Sequence, residues 1–196
     1  GNLSVGGTGK TPLVEHIART LVASGTRPAI AMRGYRASLG MSDEAREYQL
    51  ALPGVPTLVN PDRIAAIRNA QYFLNRQGVP PLTCVILDDG FQHLRIKRDL
   101  DILLIDASKP FGNNKLLPAG ILREPKSGLE RVDAFVITRA NLANNVPELQ
   151  SELTQLNPTC PQFVSQNAFI GLKPLKDRGR ESSELSLERI RSLKSA

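Results

Sequence analysis

The chain has 196 residues, 41% of them hydrophobic, with a net charge of +6 and a pI of about 9.6. That length holds one domain or a domain with an appendage, and no stretch reaches the ~18 apolar residues of a membrane-spanning helix. The positive balance favours anionic partners, but aromatic residues at 5% leave few platforms for stacking nucleic-acid bases.

The chain begins with "SVGGTGKTP", residues 4–12, a glycine-rich loop that opens a helix. Leu13, Val14, Ile17, Leu21 and Val22 have helical spacing, and Gly25 stops the run. "RPAIAM" is a short buried strand ending near Arg33, and "RGYRASLGMSDE" is a polar loop. "SDEAREYQLAL" reads as a helix with Ser42 as its N-cap and Pro53 after it. "VPTLVN" is a strand. "NPDRIAAIRNAQYFLNRQG" is a helix with Asn60 as its cap, Pro61 in its first turn and Gly78 at its end. "LTCVILDDG", "LDILLIDA" and "VDAFVITRA" are three further apolar strands. After Asn141 the pattern blurs. "PQFVSQNAFIGLKPL" holds one or two strands, and the last residues are weakly helical. Cys84 and Cys160 have no metal-ligand spacing and are expected as reduced thiols.

Apolar runs alternating with helices predict an α/β fold with a mostly parallel sheet covered on both faces. The expected division is a nucleotide-binding domain at 1–145 and an extension at 146–196. A glycine loop of this kind normally follows a strand, and the first three residues leave no room for one. The chain therefore reads as a fragment lacking that strand.

The loop carries the chemistry. Gly9, Lys10 and Thr11 fit the end of the G-x-x-x-x-G-K-[ST] phosphate loop, while Ser4 stands at the first glycine position and Gly6 and Gly7 lie inside. Backbone N–H groups must curl around phosphate oxygens without Cβ obstruction, and a helix N-terminus must point at them. Lys10 would bridge the β- and γ-phosphates, and Thr11 would hold Mg²⁺. In "VILDDGFQH", Asp88 and Asp89 stand at the end of a strand, where a metal-binding aspartate belongs; a capped Asp-Asp-Gly turn is the plainer alternative. Gln92 and His93 follow without a motif of their own. In "LLPAGILREP", Arg123 and Glu124 lie between prolines, and spacing alone favours a surface ion pair. Asp43 and Glu44 read most simply as acids at a helix N-terminus.

These clusters occur in one order in a known family. The pieces "GNLSVGGTGKTP", "RGYR", "SDEA", "NPDRIAA", "LDDGFQHLRIKRDLDILLIDA", "PFGNNKLLPAGILREP" and "LERVDAFVITRA" cover residues 1–140 almost continuously. By them the chain resembles the tetraacyldisaccharide 4'-kinases, the lipid A 4'-kinases of Gram-negative bacteria. The resemblance implies a P-loop fold and transfer of a phosphoryl group from ATP to the 4'-hydroxyl of a lipid A disaccharide precursor. It implies that Gly6, Gly7, Thr8, Gly9, Lys10 and Thr11 bind the nucleotide. It places Thr11, Asp89 and Glu124 around Mg²⁺, makes Asp43 the general base, and gives Lys10 and Arg123 the charge of the moving phosphoryl group. Ser42 departs from the glycine of the family's G-D-E motif, and the segment before it is short.

The resemblance also implies a preceding strand, an apolar N-terminal helix that meets the cytoplasmic face of the inner membrane, and a second lobe beyond residue 196. Two other readings stand beside it. Another P-loop NTPase would need a base-recognition motif such as N-K-x-D, which "TRAN" at 138–141 does not supply. A non-catalytic nucleotide-binding module would bind without turnover.

Overall fold

The apolar runs fold into parallel strands separated by helices. A computed structural model describes residues 1–34, 43–166 and 168. In chain order the elements are α1 (Lys10–Ala23), β1 (Pro28–Met32), α2 (Asp43–Ala51), β2 (Thr57–Val59), α3 (Arg63–Arg76), β3 (Cys84–Leu87), β4 (Ile102–Asp106), β5 (Ala134–Thr138), α4 (Val146–Leu156) and β6 (Gln162–Val164). A 3₁₀ turn, Lys126–Arg131, precedes β5. β1 is buried at every position, as a strand covered on both faces requires. Among the described residues no helix is long and apolar enough to cross a membrane.

Among the described residues the strand ladders are all parallel. They form two three-stranded sheets, β2-β1-β3 and β4-β5-β6, where the sequence predicts one. Each sheet has its own core. Ile30 and Met32 of β1 pack with Val14 and Ala18 of α1 and with Ala45 and Tyr48 of α2. Leu103, Ile105, Phe135 and Ile137 pack with Leu149 and Leu153 of α4. A cavity of about 540 Å³ is lined by residues of α1, β3 and β4.

The residues ahead of the phosphate loop are not a free lead-in. Leu104 N–H donates to Gly1 O at 2.9 Å, and Asn2 bridges Leu104 in parallel along the open edge of β4. Those few residues run in strand register, although the sequence suggests no strand there.

Two expectations change. The cap of α3 is Asp62, not Asn60: the Asp62 carboxylate accepts from Ala65 N at 3.0 Å, while Asn60 accepts from Asp62 N just outside the helix. Pro61 therefore precedes the cap. α4 lies in the stretch that the sequence leaves blurred. Its Leu149 and Leu153 are buried under the β4-β5-β6 sheet. The first compact unit runs from Gly1 to Ser165, because β6 pairs with β5 and α4 belongs to that core. The second unit is Gln166–Ala196. The proposed Ser42 cap, the second half of "RGYR" and the weakly helical end lie outside the described residues.

Candidate active site

The phosphate loop starts from backbone conformation. Gly6 has φ 117° and Gly9 has φ 84°, both in the region that favours glycine. Gly9 is the N-cap of α1 and offers no side chain, so the first N–H groups of the helix stay open. A Cβ on Gly6 or Gly7 would meet nothing within 4 Å, so the loop faces open space there. Thr8 turns the other way. Its side chain is buried, and its carbonyl accepts from Thr138 Oγ at 2.9 Å. The end of β5 thus braces the loop from behind, a contact that the sequence does not announce.

Lys10 opens α1 and points back across the loop. Its Nζ donates to Asn2 Oδ1 at 3.3 Å and lies 3.8 Å from Asp89 Oδ1. Asn2 is fully buried and donates to Ser4 O. Asp89 has φ 51°, an uncommon conformation for a side chain-bearing residue. Long-range partners hold it there: Arg123 Nη1 meets Asp89 Oδ2 at 2.6 Å, and Arg63 donates to Asp89 O at 3.3 Å. Burial pushes the Asp89 carboxyl up, but the Arg123 hydrogen bond and the Lys10 and Arg123 charges outweigh it and hold the group below its ordinary range. Asp89 is ionised at neutral pH. Gly90 must follow, since a Cβ there would lie 2.6 Å from Leu87 Cβ.

Arg123 and Glu124 do not pair with each other, contrary to what their spacing favours. Glu124 takes a hydrogen bond from Gln92 Nε2 at 2.7 Å and an ion pair from Arg131 at 2.6 Å. Arg131 also lies over the face of Phe91, its Cζ 3.8 Å from the ring centre. Gln92 donates to Asn2 O as well, at 3.0 Å. One network therefore joins the start of the chain, the Asp88-Asp89 turn and the 123–131 segment.

Asp88 belongs to a second arm. It is buried, and its Oδ2 accepts from Tyr48 Oη at 3.0 Å. Thr11 acts on the same phenol, lowering its pKa against the larger effects that raise it. Burial, and then the charge of Asp88, push the Tyr48 phenol far above its ordinary pKa, so it remains a donor. This arm brings α2 to the carboxyl edge of β3. Asp43, the first residue of α2, is exposed there, and among the described residues no hydrogen bond or ion pair holds it. Its neighbour Glu44 is pushed up by burial and then by the Asp88 charge, and also feels Lys10 and Asp89. The start of α2 thus shares the electrostatics of the site.

The oxygens present suit a hard cation. Asp88 Oδ1 and Asp89 Oδ1 are buried without a hydrogen-bond partner, and the Thr11 side chain lies on the same arm as Asp88. Among the described residues no three His, Cys, Asp or Glu side chains cluster as a ready-made cage. Mg²⁺ needs none: it takes one or two carboxylates and completes its shell with phosphate and water.

The family model described as "Tetraacyldisaccharide-1-P 4'-kinase" matches residues 1–187. Among curated relatives, a tetraacyldisaccharide 4'-kinase of Geobacter metallireducens is 46% identical over 71% of this chain and 45% of its own length. One of Chlorobium luteolum is 38% identical over 93% of this chain and 55% of its own. The chain spans about half the length of the curated relatives it matches. The structure is similar to "apo" form LpxK from Aquifex aeolicus in complex with ATP, with a TM-score of 0.58 and 32% identity over 84% of this chain and 51% of that one.

Proposed function

The chain belongs to the tetraacyldisaccharide-1-P 4'-kinase family, and from that premise we propose that the protein moves the γ-phosphoryl group of ATP to the 4'-hydroxyl of a tetraacylated disaccharide 1-phosphate, a lipid A precursor. The observation that carries this reading is the meeting of Lys10, Asp89 and Arg123 in front of an open helix N-terminus. Phosphoryl transfer asks mainly for positioning and for cations where negative charge develops. The solved relative with ATP and the names of the curated relatives support the same reading.

In this mechanism the N–H groups of Gly6, Gly7, Thr8 and Gly9 bind the phosphates, and Lys10 spans the β- and γ-groups. Asp89 keeps Lys10 and Arg123 facing one another. Arg123 takes charge that spreads over the moving group. Asp43 accepts the proton of the acceptor hydroxyl as its oxygen bonds to phosphorus and the bond to the β-phosphate oxygen breaks, releasing ADP. Thr11, Asp89 and Glu124 would hold Mg²⁺, and Asp88 offers a further oxygen. Bound there, the ion neutralises phosphate charge. The acylated acceptor puts the protein at the cytoplasmic face of the inner membrane as a peripheral protein, which its positive charge suits.

The test gives the full-length gene product γ-labelled ATP, Mg²⁺ and tetraacyldisaccharide 1-phosphate. Label should appear on the acceptor. ATP turnover that leaves the acceptor unlabelled would overturn the proposal.

A further inference from the structure

Residues 112–119 take no part in the site, yet all eight are exposed. Leu116 and Leu117 stand in this projection at 44% and 51% exposure. Exposed apolar residues scattered singly need no explanation, whereas adjacent ones fixed on a projection do.

This loop is built to keep its leucines outside. Asn113 Nδ2 donates to Ala119 O at 2.9 Å, and Gly120 N donates to Leu116 O at 2.9 Å. Leu117 N donates to Leu122 O at 2.9 Å, and Leu122 N to Lys115 O at 3.2 Å. With the backbone tied at these points, the leucines cannot fold back into the core.

The position is as telling as the shape. Val5 N–H donates to Ile121 O at 2.9 Å, and Ser4 bridges Leu122. Three short segments therefore lie side by side: 116–117, 121–122 and 4–5. Val5, at the start of the phosphate loop, is itself 40% exposed. From Leu122 the chain passes directly into Arg123, which pairs with Asp89. An apolar projection is thus tied to the phosphate loop on one side and to a phosphoryl-facing arginine on the other.

Its charge has one sign. Between Asp106 and Glu124 there is no acidic residue, while Lys109, Lys115 and Arg123 are cationic. Lys109 and Lys115 are exposed. Leucines beside lysines suit the boundary between lipid acyl chains and anionic headgroups, where the first enter and the second attract.

We propose that the 112–119 loop is a lipid-contact surface that seats the site against an anionic membrane presenting the acylated acceptor. The inference rests on the kinase reading for its acceptor but not for its lipid contact. The experiment uses full-length protein, wild type and the double variants Leu116→Glu/Leu117→Glu and Leu116→Ser/Leu117→Ser. One arm measures binding to phosphatidylglycerol–phosphatidylethanolamine vesicles without nucleotide. The other measures KM for acceptor carried in those vesicles, together with ATP affinity and Tm.

Vesicle affinity should fall at least about tenfold in the glutamate variant and less in the serine variant, and KM for the acceptor should rise in parallel. ATP affinity and Tm should stay at their wild-type values. Variants that bind vesicles and use the acceptor as well as wild type would overturn the proposal. So would a change confined to self-association, which would assign the leucines to a second copy. If wild type transfers no phosphate, the kinase reading fails, and the vesicle arm still decides the loop.

Discussion

The Tyr48 hydroxyl donates to Asp88 Oδ2 at 3.0 Å, joining a helix to a strand end forty residues away in the chain. Tyr48 is fully buried, and the bond occupies one oxygen of Asp88 while the other stays buried and unpaired. The bond thus orients a carboxylate at the carboxyl edge of β3. It also anchors the helix on which Asp43 stands five residues earlier.

Tyr48→Phe keeps the ring and removes that bond. A hydrogen bond to a charged group contributes about 1.5–3 kcal/mol, and Asp88 would be left buried with less support. Tm should fall, and more Mg²⁺ should be needed for half-maximal ATP binding. Isothermal titration with ATP across a Mg²⁺ series, alongside thermal melts, checks both. An unchanged Mg²⁺ midpoint would mean that Tyr48 is only a packing residue.

Lys10→Ala should abolish phosphoryl transfer and leave the fold intact. The side chain is part of no core cluster, so its loss removes charge rather than packing. Circular dichroism, melting and labelled transfer measured together separate the two effects. Turnover near the wild-type rate would remove Lys10 from the mechanism.

Asp43→Ala distinguishes a base from an ordinary helix-end acid. Loss of a general base lowers kcat by about 10²–10⁴-fold, while KM for ATP should change little. Loss of a favourable helix-terminal charge costs only about 0.3–1 kcal/mol of stability and leaves kcat alone. Steady-state kinetics with a melting curve decides, and a less stable but fully active variant rules out the base.

Arg123→Gln tests the linkage at Asp89. The folded-state pKa of Asp89 lies below its ordinary value of 3.8. A depressed carboxyl contributes stability that is fully present above the unfolded pKa and is lost as pH falls through the folded one. Wild type should therefore lose Tm as pH drops below about 4. The variant should start lower at pH 7 and converge on wild type in acid, where Asp89 is protonated in both. Parallel melting curves at every pH would show that the pair does not contribute.

Features that depend on neighbours along the chain were legible before any fold was known. G-K-T opening an amphipathic run sets a phosphate loop, because Gly9 is the cap and Lys10 and Thr11 are the first helical residues. Apolar runs of four or five residues set the strands, and the aspartates at their ends follow from where each run stops. Even there, local reading is uncertain by a residue or two: Asn60 and Asp62 are both good caps, and the geometry of the turn selects Asp62. The long-range partners came from the folded arrangement alone. Nothing near Asn2 announces that it meets Lys10 and Gln92, nothing near Glu124 announces Gln92 and Arg131, and Tyr48 reads as one more core aromatic. Apolar strands of similar composition can be ordered in several ways, and the order chosen determines which strand ends and loops become neighbours. A hydrogen bond between residues tens of positions apart exists only after that order is set. The pairing of Arg123 with Asp89, and not with the adjacent Glu124, was settled at that level.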